Sequence, residues 1–256
     1  MSRHRFFLTE QFGAFAPGSV VHAPLSADDV RHATRSLRVR AGEGLDLVEP
    51  SGTSWRVRVS AVSEDGLDVE LLEALQTSPE PDVTLVFGVL KGSKNDDVIE
   101  GAVEVGVRAI VPVLFERSVV RLDAEKRAER GGRWRRVAVA AAKQAKRSQV
   151  PHVADPVGFS ETVAMLAEYD AVLVAWEEAD GEGVSACLEE LSLAPDSHVA
   201  IVVGPEGGLS ASEVAALTGA GARTCTLGPT ILRAETAGVI ATALVVYGLG
   251  GLGNRR

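Results

Sequence analysis

The sequence is poor in cysteine, its histidines are scattered, and its longest uncharged stretch is interrupted by glycines. Cys187 and Cys225 are the only two cysteines among 256 residues, too few for a disulfide framework and not spaced as metal ligands. The five histidines form neither an H-E-x-x-H motif nor the spacing of a Ser/His/Asp triad. A metal site and hydrolase chemistry therefore have little support, and a reducing cytosol is expected.

The apolar stretches favour a protein without a membrane span. The longest stretch without charged residues, 236–254, contains five glycines and two threonines, which is more typical of a buried helix. Near the start of the chain, an apolar run of only three residues precedes Thr9 and Glu10, which is not the pattern of a secretory signal. The sequence predicts a soluble, cytoplasmic protein.

Charge is distributed unevenly along the chain. The formal net charge of −9, taken for the chain as a whole, argues against a nucleic-acid partner. Residues 117–147, however, contain 11 Lys/Arg and three Asp/Glu, whereas residues 151–256 carry a net charge of −10. The local basic excess predicts a phosphate-binding surface, the alternative being an ordinary solvated face.

The first part of the chain has the pattern of β-strands. From Val20 to Leu72 apolar and polar residues mostly alternate, as where Val57 and Val59 flank Arg58, and glycines punctuate the runs. This pattern predicts a small, mainly antiparallel β module over residues 1–75. The polar segment 76–82, with its two prolines, is the best linker candidate.

Residues 83–256 alternate between short apolar runs and helical segments. The runs are typical of buried parallel strands and lie at 83–90, 108–115, 170–175, 198–203 and 223–228. The helical segments lie at about 95–105, 124–147, 159–168, 184–193, 210–219 and 235–249. This alternation predicts an α/β domain whose parallel sheet is covered by helices on both faces.

A glycine-rich loop follows the fourth of these apolar runs. The loop 204–208, GPEGG, leads into Ser210 and Glu213, which form an S-x-x-E capping box and so predict a helix start. Open α/β sheets bind ligands at such strand-to-helix turns. Because the loop offers Glu206 and no cation, it favours a ligand with neutral or cationic groups over a phosphate. A tight structural turn is the alternative.

A second loop, 227–237, repeats this arrangement after the next strand. Loops on two such strands meet at one edge of the sheet and can form opposite walls of a pocket. Arg233 and Glu235 are functional candidates, unless Glu235 only favours a helix N-terminus and Arg233 is a solvated end residue. The G-x-G-x-x-G match at 248–253 follows a helix rather than a strand, so it does not indicate a dinucleotide site.

Helical periodicity gives the basic region two faces. On a helix over 124–147, Arg136, Lys143 and Arg147 lie within about 40° of one another. Trp134 and the alanines at 138, 141 and 145 face the other way, so one side is expected to pack on the sheet and the other to form a basic stripe. A second basic patch, for which one turn of amphipathic helix is the alternative explanation, consists of His32, Arg35, Arg38 and Arg40.

Several motifs occur in the same order as in a known family. They are HATRSLR at 32–38, KG at 91–92 with EVGV at 104–107, ERS at 116–118, AAKQ at 141–144, GPEGGLS at 204–210 and LGPTILRAETA at 227–237. With these motifs, nearly the whole chain resembles the RsmE family of SPOUT methyltransferases. That family transfers a methyl group from S-adenosylmethionine to N3 of a uridine in 16S ribosomal RNA.

The resemblance implies a fold and a set of partners. It implies a PUA-like β-barrel that helps to hold RNA, and an α/β domain with a parallel sheet and a deep trefoil knot. It also implies a homodimer that binds S-adenosylmethionine and acts on 16S rRNA within the assembled small subunit. Neither a metal nor a membrane partner is expected.

The resemblance also implies roles for individual residues, and one departure bears on them: many members have Arg where Thr230 stands. The catalytic residues would be Arg233 and Glu235. The cofactor-binding residues would be Leu173, Ala175, Gly204, Pro205, Glu206, Gly207, Gly208, Leu227, Gly228, Ile231, Leu232 and Ala237. The RNA-binding residues would be Arg35, Arg38, Lys91, Arg117, Arg136, Lys143, Gln144 and Arg147.

Methyl transfer to uridine N3 sets the chemical task. Either a base removes the N3 proton or a positive group stabilises the uracil anion that forms. Arg233 would stabilise the anion or a flanking phosphate, and Glu235 would orient the substrate or accept the proton. Two alternatives stay open: a 2′-O-ribose methyltransferase of the same superfamily, and a non-catalytic RNA-binding factor in ribosome assembly.

Overall fold

The computed structural model describes residues 3–13, 15–75, 80–179, 181–194 and 196–253. The chain forms two compact units, one of Met1–Pro79 with Ala142–Val150 and one of Glu80–Ala141 with Pro151–Arg256. The predicted boundaries at 1–75, 76–82 and 83–256 stay a prediction, and residues 76–79 of the predicted linker lie outside the described residues. Sequence patterns do not indicate that residues 142–150 belong with the first unit.

A five-stranded sheet forms the first unit. The strands are β1 His4–Phe7, β2 Val20–His22, β3 Gly44–Val48, β4 Ser54–Val62 and β5 Leu67–Leu75. Their order is β1-β3-β4-β5-β2, with β1 parallel to β3 and the other pairs antiparallel. Val57 and Val59 are buried whereas Arg58 between them is exposed. The mainly antiparallel β module is confirmed.

The two edge strands of this sheet meet through the residues that follow them. Leu8, after β1, forms a bridge with Leu25, after β2, and the Thr9 N–H donates to the Pro24 carbonyl oxygen at 2.8 Å. Pairing of the two edges closes a sheet on itself and removes its open edges. The first unit therefore has the barrel-like closure that the resemblance implies.

Residues 142–150 are held in the first unit by charged contacts. The Lys143 ammonium pairs with Asp29, which belongs to a short helix, α1 Ala27–Arg31. Arg5 of β1 donates from Nη1 to the Arg147 carbonyl oxygen at 2.8 Å. Arg147 itself is buried, with 7% of its surface exposed. Both Lys143 and Arg147 thus contribute to the packing of this segment.

A parallel sheet forms the second unit. Its strands are β6 Asp82–Gly88, β7 Ala109–Leu114, β8 His152–Val153, β9 Val157–Gly158, β10 Ala171–Ala175, β11 His198–Val203 and β12 Arg223–Cys225. After α1 and the π-helical turn His32–Ser36 that directly follows it, the α-helices are α2 Lys94–Glu104, α3 Ala124–Gln144, α4 Phe159–Leu166, α5 Val184–Leu191, α6 Ala211–Gly219 and α7 Ala234–Gly248. All five predicted strands and all six predicted helices are confirmed as elements, whereas β8 and β9 were not predicted.

Helices cover both faces of this sheet. Val86 of β6 packs in one cluster with Leu166 of α4 and Val214 of α6. The neighbouring Leu85 lies instead against Gly238 of α7. Because adjacent residues of a strand point to opposite faces, the two groups of helices cover opposite sides of the sheet. The predicted α/β architecture is confirmed.

Helix α3 ends earlier than the charge pattern predicts. It stops at Gln144 rather than at residue 147, and Lys146 adopts a left-handed φ of +56° that no α-helix accommodates. The predicted stripe of Arg136, Lys143 and Arg147 is therefore wrong, since Arg147 lies beyond the helix and is buried. The apolar side of the helix is buried as predicted and includes Trp134, Ala138 and Ala141.

The strand order brings distant loops to one edge of the sheet. The order is β12-β10-β11-β6-β7-β8, with β9 also paired to β7, so β11 lies between β10 and β6. In a parallel sheet the carboxyl ends of neighbouring strands share an edge, and ligands bind there. The segments that follow these ends are 89–93, 176–183, 204–210 and 226–233. The threading of the chain end into a trefoil knot stays a prediction.

Candidate functional site

A cavity of about 540 Å³ lies at this edge of the sheet. Its volume is within the range of small-molecule sites. The cavity wall consists of Lys94 and residues 175–177, 203–206, 208, 226–235 and 237. The structure thus brings together the two loops that the sequence predicts as pocket walls.

The first loop ends in the predicted capping box. Ser210 Oγ accepts the Glu213 N–H, and Glu213 Oε2 accepts the Ser210 N–H at 2.9 Å. Glu213 Oε1 also accepts the N–H of Glu116 at 2.7 Å. The Glu213 carboxylate is buried, so these bonds fix both the start of α6 and the segment that follows β7.

Two glycines let the backbone around the first loop pack closely. At Gly88, which ends β6, a Cβ atom would lie 2.4 Å from the backbone nitrogen of Pro205. Gly208 has a φ of +69°, and a Cβ atom there would lie 2.3 Å from Glu177 Oε1. A larger residue at position 88 would force the loop away from its present course, whereas at position 208 the left-handed backbone is what favours glycine.

The second loop is more exposed than the first. Its first turn is closed by Thr226, whose Oγ1 accepts the Gly228 N–H at 3.1 Å. Ile231 is 94% exposed although it is apolar. Arg233 is exposed and immediately precedes α7, and Glu235 lies in the first turn of that helix. Both predicted catalytic residues, Arg233 and Glu235, line the cavity.

The cavity contains a lysine that sequence reasoning missed. Lys94, the first residue of α2, places its Nζ 3.3 Å from Glu235 Oε2 and 3.8 Å from Glu206 Oε1. The Lys91 N–H donates to the same Glu206 oxygen at 3.1 Å. The first loop itself has no cation, as predicted, but the cavity does. A lysine in the first turn of a helix opposes the helix dipole, and that was the available signal for acidic partners.

The Glu235 carboxylate is held in its charged form. Its pKa lies below the ordinary value because its own backbone N–H donates to it, and the Lys94 and Arg233 charges act in the same direction against partial burial. Glu235 Oε2 is buried. Among the described residues it accepts no hydrogen bond, and its charge is paired with the Lys94 ammonium. Glu235 is therefore a weaker proton acceptor than an ordinary glutamate.

All but two of the predicted cofactor-binding residues line the cavity. Leu173 is fully buried two residues before the end of β10 and does not reach it. Gly207 faces away: a Cβ atom there would lie 3.0 Å from Arg117 Cβ, and Arg117 Nη1 donates to the Gly207 carbonyl oxygen at 3.2 Å. The residues that line the cavity are Ala175, Gly204, Pro205, Glu206, Gly208, Leu227, Gly228, Ile231, Leu232 and Ala237.

The predicted RNA-binding residues divide into exposed and engaged side chains. Lys143 pairs with Asp29 and Arg147 is buried, so neither presents an open cationic surface. The predicted RNA-binding residues that are exposed are Arg35, Arg38, Lys91, Arg117, Arg136 and Gln144.

Three further residues that line the cavity were not predicted from the sequence, namely Trp176, Glu177 and Thr226.

Other chemistry-bearing groups lie away from the cavity. Cys187 and Cys225 are free and buried, and burial raises the pKa of Cys225 to about 12. Within the described residues, no cluster of His, Cys, Asp and Glu could hold a metal ion. No helix in that part of the chain is both long and apolar enough to cross a membrane.

The chain matches known proteins along most of its length. Residues 25–72 match the RNA methyltransferase PUA domain, and residues 77–246 match the RNA methyltransferase domain. Ribosomal RNA small subunit methyltransferase E of Bacillus subtilis (strain 168) is 32% identical over 251 residues, which cover 96% of each chain. The protein of the same name from Mycobacterium bovis is 33% identical over 234 residues, covering 90% of this chain and 87% of its own.

A solved structure is similar over the same extent. It is the crystal structure of a ribosomal RNA small subunit methyltransferase E from Neisseria gonorrhoeae bound to S-adenosyl methionine, with a TM-score of 0.79 and 31% identity. The likeness covers 94% of this chain and 96% of that one. It therefore includes both compact units and the loops that form the cavity. The chain belongs to the family of ribosomal RNA small subunit methyltransferases E, the RsmE family.

Proposed function

We propose that this RNA methyltransferase transfers a methyl group from S-adenosylmethionine to N3 of a uridine in 16S ribosomal RNA. The observation that carries the proposal is 32% identity to the Bacillus subtilis enzyme over 96% of both chains. The loops at 204–210 and 227–237, which carry two of the motifs shared with the RsmE family, line or flank one cavity. The cofactor is supported by its presence in the Neisseria gonorrhoeae structure.

The cavity suits this cofactor in size and charge. Its volume of about 540 Å³ can enclose a ligand of this class. The ionisable residues of the wall are three carboxylates and two cations, so the wall carries an excess of one negative charge, which complements a sulfonium ion. A ligand donor could share Glu235 Oε2, a buried oxygen whose charge contact is with Lys94. These ionisable residues are Glu177, Glu206, Glu235, Lys94 and Arg233.

Arg233 and Glu235 have different tasks in this proposal. S-adenosylmethionine, when bound, supplies an electrophilic methyl group on its sulfonium. Arg233 stabilises the negative charge that develops on the uracil as N3 loses its proton to solvent water. Glu235 has a lowered pKa and is therefore assigned to orientation rather than to proton acceptance. Its charge also lies beside Lys94, which fixes the direction of the carboxylate.

RNA binding is assigned to exposed basic residues in each unit. N3 lies on the Watson–Crick edge, so the uridine must be unpaired or flipped out before it reacts. Cationic side chains then hold the phosphates of the flanking nucleotides. Lys143 and Arg147 are excluded from this set by their contacts. The assigned residues are Arg35 and Arg38 in the first unit, and Lys91, Arg117 and Arg136 in the second.

A homodimer acting on the assembled small subunit in the cytoplasm completes the proposal. The dimer is supported by α7, where Ile240 is 38% and Tyr247 61% exposed. The two residues are seven positions apart and so lie on one face of the helix. Exposed aromatic and aliphatic side chains that share a face are typical of contacts between protein chains. Small-subunit ribosomal RNA as the substrate is supported by the names of the relatives.

Methyl transfer to small subunits tests the proposal. Purified protein is incubated with methyl-labelled S-adenosylmethionine and small ribosomal subunits that lack the modification, and the digested RNA is analysed by mass spectrometry. We expect the label in N3-methyluridine. Label in a 2′-O-methyl nucleoside would support the ribose methyltransferase instead. Absence of transfer, together with no heat of S-adenosylmethionine binding in calorimetry, would support a non-catalytic RNA-binding protein.

A further inference from the structure

Lys94 lies where three cavity-lining segments meet. It begins α2, and its ammonium contacts Glu206 of the first loop and Glu235 of the first turn of α7. Glu206 also accepts the Lys91 N–H, so the same carboxylate is contacted by the turn that precedes α2 and by the first residue of that helix. Lys94 therefore connects both walls of the cavity to the start of α2.

Helix stability does not explain this lysine. The Lys94 side chain is 40% exposed and that of Glu206 is 29% exposed. Ion pairs with this much solvent contribute little to the stability of a fold. A positive charge in the first turn of α2 also opposes the helix dipole. What Lys94 does control is the direction of two carboxylates that would otherwise repel each other beside the cavity.

We propose that Lys94 is a positioning residue, which holds Glu206 and Glu235, and with them both loops, in the arrangement that receives the cofactor. The inference rests on the proposed function, because it concerns the binding of S-adenosylmethionine. Without Lys94 the two carboxylates would move apart. Binding of the cofactor would then have to bring the two walls of the cavity together, and the affinity for the cofactor would fall. Lys94 acts through these side chains rather than as a ligand of the cofactor.

Calorimetry with S-adenosylmethionine tests this role. Lys94→Met is expected to weaken binding roughly tenfold, while Tm stays within about 3 °C of the wild type. Lys94→Arg, which keeps the charge, should restore Kd to within about threefold. Lys126→Met is the matched control, because it breaks the pair of an exposed lysine with Asp123 outside the cavity. Its Kd should equal that of the wild type.

A variant that lacks both carboxylates shows whether Lys94 positions them or contacts the cofactor directly. In a Glu206→Gln/Glu235→Gln protein, Lys94→Met should change Kd less than about threefold, since its partners are already gone. A tenfold loss that persists in this background would mean a direct contact and would overturn the proposal. An unchanged Kd for Lys94→Met alone, or a larger fall in Tm, would overturn it too. Failure of the wild type to bind the cofactor would instead contradict the proposed function.

Discussion

Arg233 and Glu235 are two residues apart, but their surroundings suit them to different tasks. Arg233 is exposed at the cavity. Glu235 is largely covered, lies beside Lys94 and has a lowered pKa, so it remains charged at neutral pH. An exposed guanidinium can approach a uracil whose N3 is losing its proton, whereas a covered carboxylate beside a lysine is suited to orienting a neighbour.

Replacing Arg233 separates chemistry from cofactor binding. Arg233→Ala should lower kcat at saturating cofactor by about 100-fold or more, because the developing charge loses its stabilising group. Its Kd for S-adenosylmethionine should stay within about threefold of the wild type. Steady-state kinetics and calorimetry measure the two quantities. Arg223→Ala is the control, since Arg223 pairs with Glu190 and does not line the cavity. Normal kcat with weakened cofactor binding would contradict the assignment.

A sequence pattern can indicate a site residue when the residues that it contacts are close to it along the chain, but not when they are far away. Arg233 and Glu235 stand out because both lie where a glycine-bearing turn leads into a helix, which is a local pattern. Lys94 does not, since its two partners are more than a hundred residues further along the chain. For the same reason the sequence predicts an open basic surface at Lys143 and Arg147: Asp29 and Arg5, which contact that segment, are more than a hundred residues away along the chain.

Helix α6 and the segment after β7 share one buried carboxylate, that of Glu213. Glu213→Gln keeps one acceptor oxygen but places an NH₂ group against the other backbone N–H. The mismatch should cost about 1–3 kcal/mol and lower Tm by several degrees in a thermal unfolding experiment. Glu161→Gln removes a charge from the first turn of α4, where Glu161 is exposed, and should leave Tm nearly unchanged. Equal Tm values for the Glu213 and Glu161 variants would contradict this role.

Periodicity and capping patterns predict the elements of this fold but not all of their ends. The S-x-x-E signal places the start of α6 correctly because both hydrogen bonds of the box are local. The end of α3 is different: basic residues continue past Gln144, and the left-handed Lys146 that stops the helix has no glycine or proline to mark it. The two-residue strands β8 and β9 are too short to show any period.

For the whole molecule, the distribution of charge is more informative than its sum. The acidic excess belongs to residues 151–256, which include both cavity loops, while the exposed Arg35, Arg38, Arg117 and Arg136 lie in the first 150 residues. A net charge of −9 is therefore compatible with an RNA substrate. Both the RNA methyltransferase PUA match and the RNA methyltransferase domain match support that substrate.

Mapping of methylated nucleotides in 16S rRNA tests the central claim most directly. RNA is compared from cells that lack this protein, from the same cells with the protein restored, and from cells restored with the Arg233→Ala variant. We expect one N3-methyluridine to be missing in the first, present in the second and missing in the third. An unchanged set of N3-methyluridines in cells without the protein, or the return of only a 2′-O-methyl nucleoside on restoration, would contradict the claim.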